Sequence, residues 1–439
     1  MGSSNSGAVS PTDKLSRVLG FWQVTASGVG IIVGAGIYVL VGAATREAGA
    51  AVWLGFVLAA ILSALTALSY CELAAMYPRA GAEYEYARNA FPETVAFLVG
   101  WVMVAGLVVA SGAVALGFAR YLREFVTIDE RVGAVMLLVV VGLIALSGIK
   151  NSARLTLVLC AIQVTGLLLV VGVGIGHVGD VNLTAGASSS GVLGAAALVF
   201  FAFIGFDEVI TLAEETRNPS RTIPMALLTS LAISAVLYVA VAVVAVSVLG
   251  PEALGGSERP LADVVAHALG GASVRVVAVI ALLTTLNTTL LALTAGSRLA
   301  YGMAVGGALP RAISRLNQRQ APSLSIGLCL LGAAGFALSG SLEVVAGVTD
   351  TAVYLVFLAV NGAVLVLRFR SPSSLRPFKV PLAIRGIAVV PVLGLLATIL
   401  MLTQLDGRSL ALGGALVGLG LLVSIWRGLQ ADSRSPAEI

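Results

Sequence analysis

Long apolar stretches alternate with short polar segments along most of the chain. Each stretch holds about 20 residues or more, which lets an α-helix cross the hydrocarbon core of a bilayer. The connecting segments are short, so we expect no folded domain outside the membrane. The pattern predicts twelve spans, at residues 19–44, 51–76, 94–122, 131–148, 153–176, 191–213, 224–249, 273–303, 323–341, 345–368, 381–403 and 408–426.

Composition also indicates that the lipid bilayer is the environment of this chain. Hydrophobic residues make up 58% of the 439 residues, and the mean hydropathy is +1.02. Charged residues reach only 11%, against about 25% in ordinary soluble domains. We therefore predict an all-α integral membrane protein.

Basic residues are distributed unequally between the two sides of the predicted membrane. With both termini in the cytoplasm, the segments on that side contain 19 of the 26 Lys and Arg residues, and the outer segments contain 7. The positive-inside rule therefore predicts a multi-pass protein of the cell membrane with both termini cytoplasmic. The net charge of +4 follows from these loops and requires no nucleic-acid partner.

Polar residues dominate both ends of the chain, and clustered catalytic groups are missing from its pattern. Residues 1–18 are predicted to be a disordered cytoplasmic tail, and residues 427–439 a second tail. The two histidines and the three cysteines are isolated in the sequence, whereas metal sites and catalytic triads need neighbouring ligands. We predict no metal, no cofactor and no enzyme activity.

Glycines interrupt the first span near its middle. Four of the nine residues from Gly28 to Gly36 are glycine, which weakens the helix and frees backbone polar groups for a ligand. Amides at Ala35 and Gly36 would begin a second half-helix and suit a carboxylate, while carbonyls near Ile32 suit an ammonium group. Close helix packing through Gly30 and Gly34 is the alternative.

A second interruption is predicted in the sixth span, where Gly205 precedes Asp207 and Glu208. A carboxylic acid inside a membrane is energetically costly, so it is expected to have a specific role. Asp207 would either cap the restarted helix or contact a substrate. Interrupted first and sixth spans are typical of a five-plus-five inverted repeat, the LeuT-like fold, with the binding site between the two breaks. The repeats would cover residues 19–176 and 191–368, and residues 381–426 would add two helices.

Several motifs, in order along nearly the whole chain, resemble the amino acid/polyamine/organocation (APC) transporters. The resemblance is to the cationic amino acid transporter branch in particular, and it implies secondary active or exchange transport of amino acids by alternating access. Transport of polyamines or other organocations, and sensing of amino acids without transport, are the alternatives. The motifs are ASGVGIIVGAGI at residues 26–37, YCEL at 70–73, PRAGAEYEY at 78–86, FIGFD at 203–207, EETRNPSRTIP at 214–224 and RPFKVP at 376–381.

The same resemblance implies positions for the substrate. The substrate carboxylate would meet backbone amides of Gly34, Ala35 and Gly36. Its amino group would meet the carbonyls of Ile32, Phe201 and Ile204. Phe201 would act as a gate over the substrate, with core packing as the alternative. Ser111 on the third span falls at a position that contacts the substrate side chain, and helix packing is its alternative.

The resemblance does not determine whether transport is coupled to protons, coupled to sodium or uncoupled. Some relatives have a lysine on the fifth span in the place of a sodium ion, and this chain has Gln163, which cannot exchange a proton. Thr284 and Thr288 share one face of the eighth span with Asn287 and would offer oxygens to a cation, or bond between helices. Gln163 excludes proton coupling at that position and favours exchange or facilitated transport over sodium coupling.

Charged residues near the predicted inner helix ends suggest an inner gate. Glu72, Glu214 and Glu215 would pair with nearby arginines and close the inner vestibule. The candidate arginines are Arg79, Arg88, Arg217 and Arg221.

Overall fold

The computed structural model describes residues 19–77, 82–147, 149–185, 187–270, 274–339, 341–384 and 387–433. The predicted N-terminal tail, residues 1–18, lies outside the described residues, as does the end of the predicted C-terminal tail.

The described chain is mostly helical. Eight helical segments are long and apolar enough to cross a membrane, and four shorter apolar helices accompany them. The helices are α1 (Phe21–Ile32), α2 (Ala35–Ala48), α3 (Val52–Met76), α4 (Ala82–Ala90), α5 (Glu93–Leu122), α6 (Glu130–Leu146), α7 (Ile149–Gly174), α8 (Ser189–Val199), α9 (Pro219–Gly256), α10 (Pro260–Leu269), α11 (Val274–Val305), α12 (Ser323–Ser339), α13 (Leu342–Arg370), α14 (Val389–Leu402) and α15 (Gly407–Ser433).

Both predicted interruptions are present. The first span is divided between α1 and α2, which are separated by Val33 and Gly34. In the sixth span, α8 gives way to a 3₁₀ turn at Phe200–Phe203, and a second 3₁₀ segment follows at Asp207–Glu215. Only Ser189–Val199 of that span is α-helical, because the chain changes to tighter turns beyond it.

Three boundaries differ from the sequence-based prediction. The connection at residues 251–272 contains α10, whose apolar face packs on α9 and α11. The eleventh span starts at Val389, after an antiparallel pair of strands, β1 (Ala383–Ile384) and β2 (Ile387–Ala388). α15 continues to Ser433, beyond the predicted start of the C-terminal tail. A hydropathy window misses these features because a short amphipathic helix or an apolar turn has the average hydropathy of its surroundings.

Small residues allow α5 to pack closely between α11 and α13 at the centre of the molecule. A Cβ atom on Gly106 would lie 3.1 Å from Ala352 of α13, and one on Gly296 of α11 would lie 3.2 Å from Cβ of Leu107. In lipid, such close backbone approach supplies the packing energy that the hydrophobic effect supplies in water.

A buried charge cluster joins α3 to α13 at the predicted inner face. The Glu72 carboxylate accepts hydrogen bonds from Arg368, from Arg376 at 3.1 Å and from the backbone amide of Val380 at 2.8 Å. All three charged side chains are less than a tenth exposed. These partners differ from the predicted arginines, because the fold brings the end of α13 and the segment after it against the end of α3. The side chains of Arg79, Glu214 and Glu215 lie outside the described residues.

Replacing Glu72 by Gln is expected to destabilise the protein strongly, because two buried guanidinium groups would lose their counter-charge. Removal of one partner from a buried pair typically costs about 3–5 kcal/mol. Glu258→Gln is the control, since Glu258 is 66% exposed in its pair with Arg123 and exposed pairs contribute about 1 kcal/mol or less. Thermal unfolding of the purified protein in detergent measures both variants. Equal midpoints for the two would contradict a structural role for Glu72.

Candidate substrate site

The first break exposes backbone polar groups between α1 and α2. The Gly34 amide donates to the Ile32 carbonyl at 2.7 Å in a tight turn. The Ala35 amide, the first of α2, donates to Oγ1 of Thr288 on α11 at 3.0 Å. Thr288 therefore satisfies one of the amides that a helix N-terminus leaves without an intrahelical acceptor.

The second break depends on Gly205 and Asp207. Gly205 has a φ of 111°, a conformation that side chains with a Cβ rarely adopt. Its amide donates to Oδ1 of Asp207 at 3.2 Å, and the Ile204 amide donates to the Phe201 carbonyl at 3.3 Å. Asp207 therefore stabilises the break itself, through the Gly205 amide.

The two breaks touch each other directly. A Cβ atom on Gly36 would lie 2.5 Å from Cα of Ala202, and one on Gly205 would lie 3.2 Å from the Ile31 side chain. The hydroxyl of Tyr238, on α9, lies 2.7 Å from the Ile32 carbonyl oxygen and 2.9 Å from that of Ala202. Tyr238 thus bridges both breaks, and the sequence analysis missed it. A single aromatic residue in a span of small and aliphatic residues was the signal that the sequence offered.

A cavity lies between the breaks, and most of the predicted substrate residues line it. Its remaining wall comes from α5 (Leu107, Ala110 and Val114), from α11 (Leu291 and Ala292), and from Ile31, Ala202, Gly205 and Glu208 beside the breaks. The predicted residues that line it are Ile32, Gly34, Ala35, Gly36, Phe201, Ile204 and Thr288.

Four predicted residues lie outside that lining: Ser111, Asp207, Gln163 and Thr284. Ser111 is buried, and its hydroxyl donates to the Leu107 carbonyl of its own helix at 2.9 Å. One residue along a helix rotates the side chain by about 100°, so Ala110 faces the cavity where Ser111 was expected. The structure therefore favours the packing alternative for Ser111.

The candidate coupling residues lie close to the first break. The Gln163 side-chain amide donates to the Gly30 carbonyl in the last turn of α1, just before the break. The Tyr38 hydroxyl donates to the Gln163 backbone carbonyl at 2.9 Å. Thr284 lies beside Tyr38, and its own hydroxyl donates to the Ile280 carbonyl at 2.8 Å. Only Thr288 of this group also borders the cavity.

The glycines of the first span divide between two roles. A Cβ atom on Gly30 would lie 2.6 Å from the Cys160 side chain of α7, and one on Gly28 would lie 2.7 Å from Ser230 of α9. These two serve close helix packing. Gly34 and Gly36 instead border the break and the cavity.

A helical membrane protein in which two interrupted helices enclose a cavity has the architecture of a transporter. Comparison with known proteins identifies the family. The family model described as amino acid permease matches residues 19–424, and the chain belongs to this family.

Individual relatives are permeases and transporters, not enzymes. The chain is 29% identical to a branched-chain amino acid permease of Bacillus subtilis, over 91% of this chain and 90% of the relative. It is also 29% identical to a methylthioribose transporter of the same species, over 88% of each. Vacuolar cationic amino acid transporter 4 of Arabidopsis thaliana is 31% identical over 82% of this chain and 64% of the relative.

Gly36→Ala is expected to reduce transport at least about tenfold, because the added methyl group would force the two breaks apart. Overpacking of this kind typically costs about 1–3 kcal/mol, and 1.4 kcal/mol corresponds to a factor of ten. Gly335→Ala is the control: Gly335 lies in α12, and a Cβ atom there meets nothing within 4 Å. Uptake into proteoliposomes, normalised to the amount of inserted protein, measures both. Equal uptake by the two variants would reject a tight contact between the breaks.

Proposed function

We propose that this protein carries amino acids across the cell membrane by alternating access, with the substrate held between the two breaks. The cavity lined by Gly34, Ala35 and Gly36 on one side and by Phe201 and Ile204 on the other carries the proposal. The start of α2 offers amides and a positive dipole end to a carboxylate, and the carbonyls of both breaks offer acceptors to an ammonium group. The proposal includes the five-plus-five inverted repeat and cytoplasmic termini.

In this conformation several of these groups already have partners within the protein. The Ile32 carbonyl accepts from the Tyr238 hydroxyl and from the Gly34 amide, and the Phe201 carbonyl accepts from the Ile204 amide. A carbonyl has two lone pairs, so an ammonium group would either join these bonds or replace them. Substrate binding would thus exchange internal hydrogen bonds for bonds to the substrate, without leaving a buried polar group unsatisfied.

An amino acid with an apolar side chain fits the wall of the cavity best. The surfaces from α5 and α11 are aliphatic, formed by Leu107, Ala110, Val114, Leu291 and Ala292. Branched aliphatic side chains match such a wall, whereas a charged group placed there would lose its hydration. The similarity to a branched-chain amino acid permease supports the same substrate class.

A cationic amino acid is the second candidate, because the acid Glu208 also lines the cavity. The similarity to a relative named as a cationic amino acid transporter also supports this second candidate. However, Glu208 is in electrostatic contact with two further acids, Asp207 and Glu83, as well as with Arg298 of α11. The aliphatic wall therefore remains the stronger indication of the substrate class.

Counterflow in proteoliposomes is expected to distinguish the two candidates. Labelled leucine, isoleucine or valine outside should exchange for the same unlabelled amino acid inside, and lysine and arginine should compete weakly. Glu208→Gln should leave leucine exchange in place if the substrate is apolar, and should abolish lysine exchange if it is cationic. Exchange of lysine but not of leucine would select the second candidate. A sensor would bind these ligands and show no counterflow.

Phe201 is expected to accept Tyr or Trp better than Ala, since covering the substrate needs an aromatic face. Phe201→Ala should lower leucine exchange by about tenfold or more, because loss of a buried aromatic side chain removes at least about 1.5 kcal/mol of contact. Phe203→Ala is the comparison, since Phe203 is also buried but packs on Tyr238 and does not line the cavity. Unaltered exchange by Phe201→Ala, at wild-type levels of folded protein, would assign Phe201 to core packing.

A further inference from the structure

Asp350 is a fully buried acid on α13, and neither of its carboxyl oxygens has a hydrogen-bond partner among the described residues. It lies eight residues after the first residue of α13, about 12 Å along the helix. An ionised carboxylate without a partner in such a place is very unfavourable, whereas the protonated acid is tolerated. In this conformation Asp350 therefore holds a proton.

Among the described residues, no positive charge lies beside Asp350 to replace that proton. The described charges on the elements packed against α13 lie toward its two ends. Arg120 of α5, Asp406 and Arg408 are at the predicted outer face, and Glu72, Glu93 and the charged side chains of α4 are at the inner face. The helices α8, α12 and α14 contain no charged residue. Tyr354, one turn along α13, is the ionisable side chain in electrostatic contact with Asp350.

One face of α13 connects Asp350 to the broken sixth span. Asp350, Tyr354 and Phe357 are spaced i, i+4 and i+7, so they lie on the same side of the helix. The Tyr354 hydroxyl donates to the Ala197 carbonyl, and its ring lies 4.7 Å from that of Phe200. The Phe357 ring lies 5.4 Å from those of Phe200 and Phe206. A movement of α13 near Asp350 would therefore act on the segment that carries Phe201.

The predicted outer end of α13 is closed over Asp350 by ion pairs. Glu343, two turns before Asp350, lies 3.4 Å from Arg46 of α2 and 3.5 Å from Arg120 of α5. Separation of these half-exposed and partly buried pairs would admit water to this end of α13. Water reaching Asp350 would allow its proton to exchange with the outer solution.

From this arrangement we propose that Asp350 is a proton-binding site that couples amino acid transport to the proton gradient. This rests on the transport function proposed above. When the outer face is open, the Asp350 carboxylate takes a proton from the outer water. The outer face closes readily only over the neutral acid, and the proton leaves when the site meets water on the inner side. Gln163 cannot supply this step, because an amide does not titrate in this range.

Two transport measurements separate proton coupling from transport itself. An inward gradient of about two pH units can sustain about 100-fold accumulation for one proton per substrate, because each unit corresponds to a factor of ten. Wild-type protein is expected to accumulate substrate under this gradient. Asp350→Asn, which is neutral at every pH, should keep counterflow within about threefold of wild type because it conserves volume. It should lose gradient-driven accumulation completely.

Matched variants exclude a purely structural effect. Asp406→Asn makes the same change before α15, where Asp406 accepts from the Arg408 and Ser409 amides, and Asn caps helices about as well as Asp. It should accumulate substrate like wild type. Asp350→Glu keeps a titrating group and should retain partial accumulation. Counterflow should depend on outer pH in wild type and lose that dependence in Asp350→Asn.

Infrared spectroscopy of the purified protein tests proton binding without transport. Wild type should show a protonated carboxylic acid band at neutral pH that Asp350→Asn lacks and Asp406→Asn retains. The proposal is overturned if the band does not depend on Asp350, if Asp350→Asn still accumulates substrate, or if wild type shows counterflow without proton-driven accumulation. Absence of counterflow for every amino acid would instead reject the proposed function, and the infrared band would still decide whether Asp350 holds a proton.

Discussion

Backbone polar groups inside a membrane must find partners, and the two helix breaks depend on this constraint. Each break frees amides and carbonyls that lipid cannot satisfy. Tyr238 serves the carbonyls of both breaks, Thr288 accepts from Ala35, and Asp207 accepts from Gly205. These partners come from several elements, so the breaks are stable only when α9 and α11 are packed around them.

Close approach of the breaks follows from the same constraint. Tyr238 reaches both only because Gly36 has no side chain between α2 and the turn at Phe200–Phe203. The cavity beside this contact combines backbone polar groups from the breaks with an aliphatic wall from α5 and α11. Such a division suits an amino acid, whose two charged groups are common to all substrates and whose side chain distinguishes them.

Three acidic residues differ in whether they have a charged partner and in how exposed that partner is. Glu72 is buried with two arginines and a backbone amide, and these bonds form a fixed joint between α3 and α13. Glu343 pairs with arginines that are partly exposed, which makes its bonds weak and easily exchanged. Asp350 has no such partner among the described residues, and its charge state depends on whether water reaches it. All three situations involve α13, through Arg368, Glu343 and Asp350.

Hydropathy and glycine spacing in the sequence determined most of the spans, the positions of both breaks and the backbone groups that border the cavity, because these depend on local composition. Partners distant in the sequence were decided only by the tertiary structure. Sequence proximity suggested Arg79, Arg88, Arg217 and Arg221 as partners for Glu72 and the neighbouring acids, whereas the fold brought Arg368 and Arg376 to Glu72. Helix rotation placed Ala110 at the cavity in place of Ser111, and packing made Tyr238 the bridge between the breaks. Hydropathy records how apolar a segment is, but which neighbour a side chain meets depends on how the helices pack.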